Sequence, residues 1–337
     1  MCRFFAYIGH EECLLEDMLI TPAHGLTHQV HDHYLPGLLS QDSSKGSQTT
    51  KKEIDLRNRL FNDDGFGMAW YSEVREEYEK SCHGPRAAFF KTIQPPLNEH
   101  NMRSISANTS TKVLFSHIRA ASLGSYVTPQ NNHPFLFGRH TFMHNGEVAM
   151  FKQIERQLCM LIDLKLYTLI KGGTDSEHVA ALYLTNLSKQ TSDDVTTTIF
   201  SLDVMKQALE STIHTIIDLQ KSMLSQEDSK IAGNDLNMCT TDGKKLLAVR
   251  YRNHQSEYPP SLYYSTKAGP TLNRKYPGHP DTADKNQHAP KNTSDHAKHV
   301  IVSSEPITYK ESDWELIPKN NFVLVEEDMS MKLEEFK

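Results

Sequence analysis

Cys2-Arg3-Phe4-Phe5-Ala6-Tyr7-Ile8 follows a single methionine, and its alternation predicts a strand with Phe4, Ala6 and Ile8 on one face and Phe5 and Tyr7 on the other. A core strand that begins at residue 2 fixes a terminus that otherwise frays. It also places a thiol there. Cysteine is small enough for the initiator methionine to be removed, which leaves a free α-amine on the residue that carries the thiol. Such an amine titrates near ~7.7–8.0, so part of it is neutral at physiological pH and can accept the thiol proton, directly or through water. Taken alone, a cysteine at this position reads first as a small apolar residue opening a core strand.

Working outward, residues 14–20 carry a helical pattern, and strand-like runs follow at 67–71, 87–91, 112–118 and 140–144. Residues 147–170 read as helical. Thr174-Asp175-Ser176-Glu177 is a capping-box pattern ahead of Val179, Ala180, Tyr183, Leu184 and Leu187, so a second helix begins there. A long amphipathic stretch covers 203–220. Strands return at 236–240, 246–251, 262–265, 300–303 and 322–325, the first two joined by a hairpin turn at Thr241-Asp242-Gly243-Lys244. Strands, helices, then strands, mostly with short connections, predict an α+β layered fold, of two layers or four. The polar run at 40–53 and the Pro/Asn/His/Lys-rich run at 267–298 read as flexible insertions.

The chain has 337 residues and a net charge of −6, with no block of like charge that would mark a nucleic-acid or anionic-membrane partner. No apolar run approaches the ~20 residues of a bilayer span. The N-terminal apolar run turns acidic at Glu11 and Glu12, too early for a secretory signal, so a cytoplasmic protein is expected. Five scattered cysteines form no CxxC pair, and the 18 histidines include no HExxH. Neither a disulfide framework nor a metal site is expected.

Three other segments carry groups suited to acyl transfer. In His144-Asn145-Gly146-Glu147, an Asn amide beside a glycine N–H supplies two donors for a developing oxyanion, although Asn-Gly is also a common turn. Arg119 ends a strand among small residues in Ser116-His117-Ile118-Arg119-Ala120-Ala121-Ser122. Its planar guanidinium suits an α-carboxylate, or a structural ion pair. Asp175, in a first helical turn after Gly172-Gly173, suits the helix dipole and equally a substrate ammonium. Asp64-Gly65-Phe66-Gly67 reads as a tight turn packed near the terminal strand or the substrate. Together these give a nucleophile with its own base, an oxyanion hole and clamps for both charges of a glutamyl α-carbon, which is what hydrolysis of a γ-glutamyl amide requires.

Met1-Cys2-Arg3-Phe4, Asp64-Gly65-Phe66-Gly67, His117-Ile118-Arg119-Ala120, Asn132-His133-Pro134-Phe135, Phe142-Met143-His144-Asn145-Gly146 and Gly173-Thr174-Asp175-Ser176-Glu177 occur in the order found in class II glutamine amidotransferases, which the chain resembles. Within that family it is most similar to the amidotransferase-like subunits of fungal glutathione-degradation (DUG) complexes, a likeness extended by Val302-Ser303-Ser304-Glu305-Pro306-Ile307 and Asp313-Trp314.

The resemblance implies the four-layer αββα sandwich of N-terminal-nucleophile hydrolases, as one domain over residues 2–337. It implies Cys2 as nucleophile, its α-amine as base, and Asn145 with Gly146 as the oxyanion hole. Arg119 and Asp175 would bind the substrate α-carboxylate and α-ammonium, with no cofactor and no metal. It also implies glutathione as substrate, glutamate and cysteinylglycine as products, and a metallopeptidase-like partner subunit. Other readings are a γ-glutamyl hydrolase of another thiol conjugate, a glutamine amidotransferase subunit, and a catalytically silent scaffold. No segment resembling an ammonia-accepting synthase follows the motifs, which speaks against a biosynthetic amidotransferase.

Overall fold

The computed structural model describes residues 2–31, 62–80, 83–122, 124–224, 233–277, 279 and 291–337. The insertion expected at 40–53 lies outside the described residues.

One sheet is built from β1 (Arg3–Leu14), β2 (Phe66–Ser72), β3 (Arg86–Thr92), β4 (Ser110–Ile118), β9 (Tyr263–Ser265), β10 (His299–Ser303) and β11 (Glu315–Leu316). The other contains β5 (Phe135–Phe137), β6 (His140–Glu147), β7 (Asp235–Thr241), β8 (Leu246–Arg250), β12 (Asn321–Val325) and β13 (Met331–Glu335). The orders are β11-β9-β10-β1-β4-β2-β3 and β13-β12-β8-β7-β6-β5, and the paired strands run antiparallel. The helices are α1 (Leu15–Leu19), α2 (Arg75–Tyr78), α3 (His100–Ala107), α4 (Phe151–Leu161), α5 (Leu164–Tyr167), α6 (Asp175–Ser188) and α7 (Leu202–Met223).

Three apolar clusters make the layers. Between the sheets, Phe4, Ala6 and Ile8 of β1 and Phe115 of β4 share a cluster with Met143, Cys239, Ala248 and Val323 of the second sheet. On the outer face of the first sheet, Phe5 and Tyr7 pack with Leu15, Met18 and Leu19 of α1 and Met102 of α3. On the outer face of the second, Phe142, Met238 and Val249 meet Ile154 and Leu158 of α4, Val179 and Tyr183 of α6, and Leu209 and Ile213 of α7. The result is an αββα sandwich, in which each large apolar side chain buried contributes about 1.5–3 kcal/mol.

The alternation in β1 thus feeds two cores, because both faces of the strand are covered. That removes the usual hydrophobic control over register, since a one-residue slip would still bury apolar side chains on both sides. Polar contacts pin it instead. Arg3, 3% exposed, forms a buried ion pair with the fully buried Glu305, and the Phe4 N–H donates to Ser304 Oγ at 3.0 Å.

Three local readings change. The helical stretch at 147–170 is broken at Ile162-Asp163, where Asp163 accepts from the Lys165 N–H and starts α5 afresh. At the start of α6, Thr174 caps the Glu177 N–H at 3.3 Å, but the Glu177 carboxylate does not return to Thr174. It accepts from the N–H groups of Lys171 and Gly172 at 3.0 and 2.7 Å, so only half of the capping box forms. Within 267–298, residues 268–276 do not run free over the surface. Ala268, Pro270, Leu272 and Tyr276 are buried, and Arg274 pairs with Asp17 of α1. The polar composition masked these apolar anchors.

Candidate active site

Cys2 stands just before β1. The β1–β4 register runs Arg3 against Ile118 and Phe4 against His117, so its continuation sets Cys2 opposite Arg119. Cys2 Sγ lies 3.4 Å from the Ala120 nitrogen and 3.5 Å from the Ala120 carbonyl oxygen. The Cys2 carbonyl accepts from Arg3 Nη1 at 2.9 Å, which holds the terminal residue from the other side.

Arg119 is 4% exposed, and its guanidinium donates to the Tyr126 carbonyl, Ser125 Oγ and Asn132 Oδ1 at 3.0, 2.6 and 3.4 Å. All three acceptors are neutral. Burial lowers the Arg119 pKa, opposed by the nearby acidic groups of Cys2, Asp64 and Asp175. A buried cation without a carboxylate in hydrogen-bond contact is costly, and it is suited to an anion brought by a ligand.

Asp175 sits at the first position of α6, an eligible end for a carboxylate because the helix dipole is positive there. It accepts from the N–H groups of Val148 and Ser176 at 2.9 and 2.7 Å. Behind it, His144 Nδ1 lies 2.8 Å from Ser176 Oγ while His144 Nε2 lies 2.9 Å from the Asp235 carbonyl. A carbonyl only accepts, so Nε2 carries a proton, while Ser176 Oγ stands between His144 Nδ1 at 2.8 Å and Asp175 Oδ1 at 3.1 Å.

Gly146 has φ +155°, and a Cβ added there would lie 1.9 Å from the Asp235 carbonyl oxygen, so only glycine fits. Asn145, 1% exposed, points from β6 into the layer between the sheets. Its Nδ2 is 3.4 Å from Ser304 Oγ, and its Oδ1 has no hydrogen-bond partner among the described residues.

Cys2, Arg119, Gly146 and Asp175 line one cleft of about 610 Å³, together with Phe151, Lys152, Gln153 and Glu155. Asn145 lies buried next to Gly146 rather than on the cleft wall. His133 lines the cleft as well, stacked on His117 with ring centroids 4.1 Å apart. Burial holds both imidazoles neutral, His117 down to about 3. The Asp64-Gly65-Phe66-Gly67 turn packs against the loop before β5, not against β1. A Cβ on Gly67 would meet the His133 carbonyl oxygen, and Asp64 Oδ2 accepts from the Ala121 N–H at 2.7 Å.

The family model of the class-II glutamine amidotransferases matches residues 56–335. The chain belongs to the class-II glutamine amidotransferases. A Saccharomyces cerevisiae protein described as probable glutamine amidotransferase DUG3 is 30% identical over 334 residues, covering 96% of this chain and 82% of that protein. Among solved structures, a protein from Silicibacter pomeroyi described as a glutamine aminotransferase class-II domain protein aligns over the full length of both chains at 20% identity with a TM-score of 0.56. The glutamine phosphoribosylpyrophosphate amidotransferase of B. subtilis aligns over all of this chain and 49% of its own, at 14% identity and a TM-score of 0.51. Those two likenesses bear on the fold of the class-II amidotransferases.

Ser125, Tyr126, Asn131, Ser176 and Ser304 were not singled out by their own chemistry in the sequence. The available signals were the segments Gly173–Glu177 and Val302–Ile307, which belong to the family likeness and carry Ser176 and Ser304 without a role for either. Among the described residues, no group of His, Cys, Asp and Glu is arranged to hold a metal, and no helix is long and apolar enough to cross a membrane.

Proposed function

We propose that this class-II amidotransferase hydrolyses a γ-glutamyl amide through Cys2, that the amide is glutathione, and that it works with a metallopeptidase-like partner subunit. The observation that carries the hydrolase reading is the set of groups on one cleft: a thiol at the chain start, a buried guanidinium with only neutral acceptors, and a carboxylate at a helix N-terminus.

With Met1 removed, the Cys2 α-amine takes the thiol proton and the thiolate attacks the substrate γ-carbonyl. The oxyanion receives hydrogen bonds from the Gly146 N–H and Asn145 Nδ2. The resulting ammonium returns its proton to the departing amine as the C–N bond breaks, leaving a γ-glutamyl thioester. Water, deprotonated by the same amine, then releases glutamate. Arg119 and Asp175 hold the α-carboxylate and α-ammonium through both halves, so the γ-carbon stays over the sulfur.

Glutathione is supported by the likeness to the yeast DUG3 protein, and the cleft that holds Cys2 and Asp175 is also lined by Lys152 and Glu155. Glutamine is the second reading, favoured by the family match itself. The test is glutamate release from glutathione and from glutamine by Met1-free protein and by Cys2→Ala, each with and without a metallopeptidase-like partner. Release from glutathione that needs both Cys2 and the partner supports the proposal. Release from glutamine alone moves the substrate, and activity that survives Cys2→Ala removes the hydrolase mechanism.

A further inference from the structure

We infer that Ser304 is a positioning residue that sets the distance between the nucleophile and the oxyanion donor; this rests on the γ-glutamyl hydrolase reading above. The geometry is direct. Ser304 Oγ accepts from the Phe4 N–H at 3.0 Å and from Asn145 Nδ2 at 3.4 Å, and the Ser304 N–H donates to the Phe4 carbonyl at 2.9 Å. One fully buried hydroxyl therefore touches two sheets. Phe4 belongs to the strand that carries Cys2, and Asn145 belongs to the strand that carries the oxyanion donors.

The contact with Asn145 has a consequence for its amide. An Asn Nδ2 has two hydrogens, and Ser304 takes one, which fixes the plane of the amide and aims the other hydrogen. Among the described residues Asn145 Oδ1 has no hydrogen-bond partner, so no other side chain sets that plane.

The neighbouring residue reinforces the same end of the chain. Glu305 forms an ion pair with Arg3 and lies 3.0 Å from His24 Nε2, and Arg3 in turn donates to the Cys2 carbonyl at 2.9 Å. Burial opposes the Glu305 charge, but Arg3 and His24 hold its pKa below the usual carboxylate range. The Ser304-Glu305 pair thus grips the first two strand residues by backbone and side chain. A nucleophile at a chain terminus has no preceding segment to hold it, and a misplacement of about 1 Å can cost on the order of a hundredfold in rate.

The experiment is a double-mutant cycle of Ser304→Ala and Asn145→Ala, with kcat expressed per reactive Cys2 thiol so that misfolded protein is not counted. Turnover of glutathione or glutamine is measured, alongside the inactivation rate by 6-diazo-5-oxo-L-norleucine. Ser304→Ala is expected to lower kcat roughly 10- to 100-fold with KM within about threefold, and to add little to the loss already caused by Asn145→Ala. Ser304→Thr, which keeps the oxygen, is expected to stay within about fivefold of wild type. A kcat for Ser304→Ala within about twofold of wild type, a fully additive cycle, or a loss in Ser304→Thr as deep as in Ser304→Ala would each overturn the assignment. If Cys2→Ala retains activity, or the wild type reacts with none of the three compounds, the hydrolase reading itself fails and the assignment goes with it.

Discussion

Arg119 and Asn131 donate to the same acceptor, the Tyr126 carbonyl, at 3.0 and 2.9 Å. The other end of the Asn131 amide accepts from the Gly173 N–H at 2.9 Å, two residues before Asp175. A single buried side chain thus spans the loops that support the cationic and anionic groups of the cleft, and it fixes their separation. In the proposed function, that separation matches the α-carboxylate and α-ammonium of one carbon atom.

Asn131→Ala is therefore expected to loosen both clamps and spare the chemistry. KM for the γ-glutamyl substrate should rise about tenfold with kcat within about threefold, the pattern of lost ground-state binding. Steady-state kinetics on Met1-free protein decide it. A fall in kcat at unchanged KM would place Asn131 with the reacting groups instead.

Arg119→Lys tests the clamp itself. The guanidinium spends its donors on three neutral oxygens and still faces the cleft, an arrangement that a single ammonium cannot reproduce. We expect kcat/KM to fall by about two orders of magnitude, equivalent to about 3 kcal/mol. Near-normal kinetics in Arg119→Lys would sink the carboxylate-binding role.

Acid stability follows from buried histidines, among them His117, His140 and His299. Burial lowers the pKa of His117 to about 3 and those of His140 and His299 to about 4, all below the ordinary value of 6.5. Between those values the unfolded chain binds protons that the folded chain refuses, so stability rises with pH through this window and is fully present above pH ~6.5. The slope approaches about 4 kcal/mol per pH unit if all three contribute. Urea unfolding should give similar free energies at pH ~8 and ~7 and a steep loss toward pH ~5. A flat profile down to pH ~5 would mean that these rings protonate within the fold.

The parts legible in the sequence were those set by local period. Phe4, Ala6 and Ile8 alternate with Phe5 and Tyr7, and the structure puts them on opposite faces of β1. The spacing of α6 and α7 was equally plain. By contrast β5, Phe135–Phe137, is too short to show a period, and β13, Met331–Glu335, is a largely exposed edge whose Lys and Glu residues read as loop. At the site, motifs indicated which residue types gather. They could not show that the acceptors around Arg119 are neutral, because Ser125, Tyr126 and Asn132 lie in irregular chain. Nor could they reveal a contact between Phe4 and Ser304 across nearly the whole sequence. The Glu177 carboxylate illustrates the limit well. Its spacing fits a capping box, but the N–H groups of Lys171 and Gly172 stand within reach, and the side chain turns to them.

The most discriminating prediction concerns Met1. The partners of Cys2 Sγ among the described residues are the N–H and carbonyl of Ala120, and neither can take a proton from the thiol. In the proposed mechanism the α-amine of Cys2 is the base, and it can act as one only when no peptide bond occupies it. Protein produced with methionine removal inhibited, and shown by mass spectrometry to keep Met1, should not turn over a γ-glutamyl substrate. Trimming that same sample with a methionine aminopeptidase should restore activity in proportion to the Met1-free fraction. Full turnover with Met1 in place would transfer the proton to a group outside this pair and end the self-base mechanism, while leaving the fold and both clamps as they are.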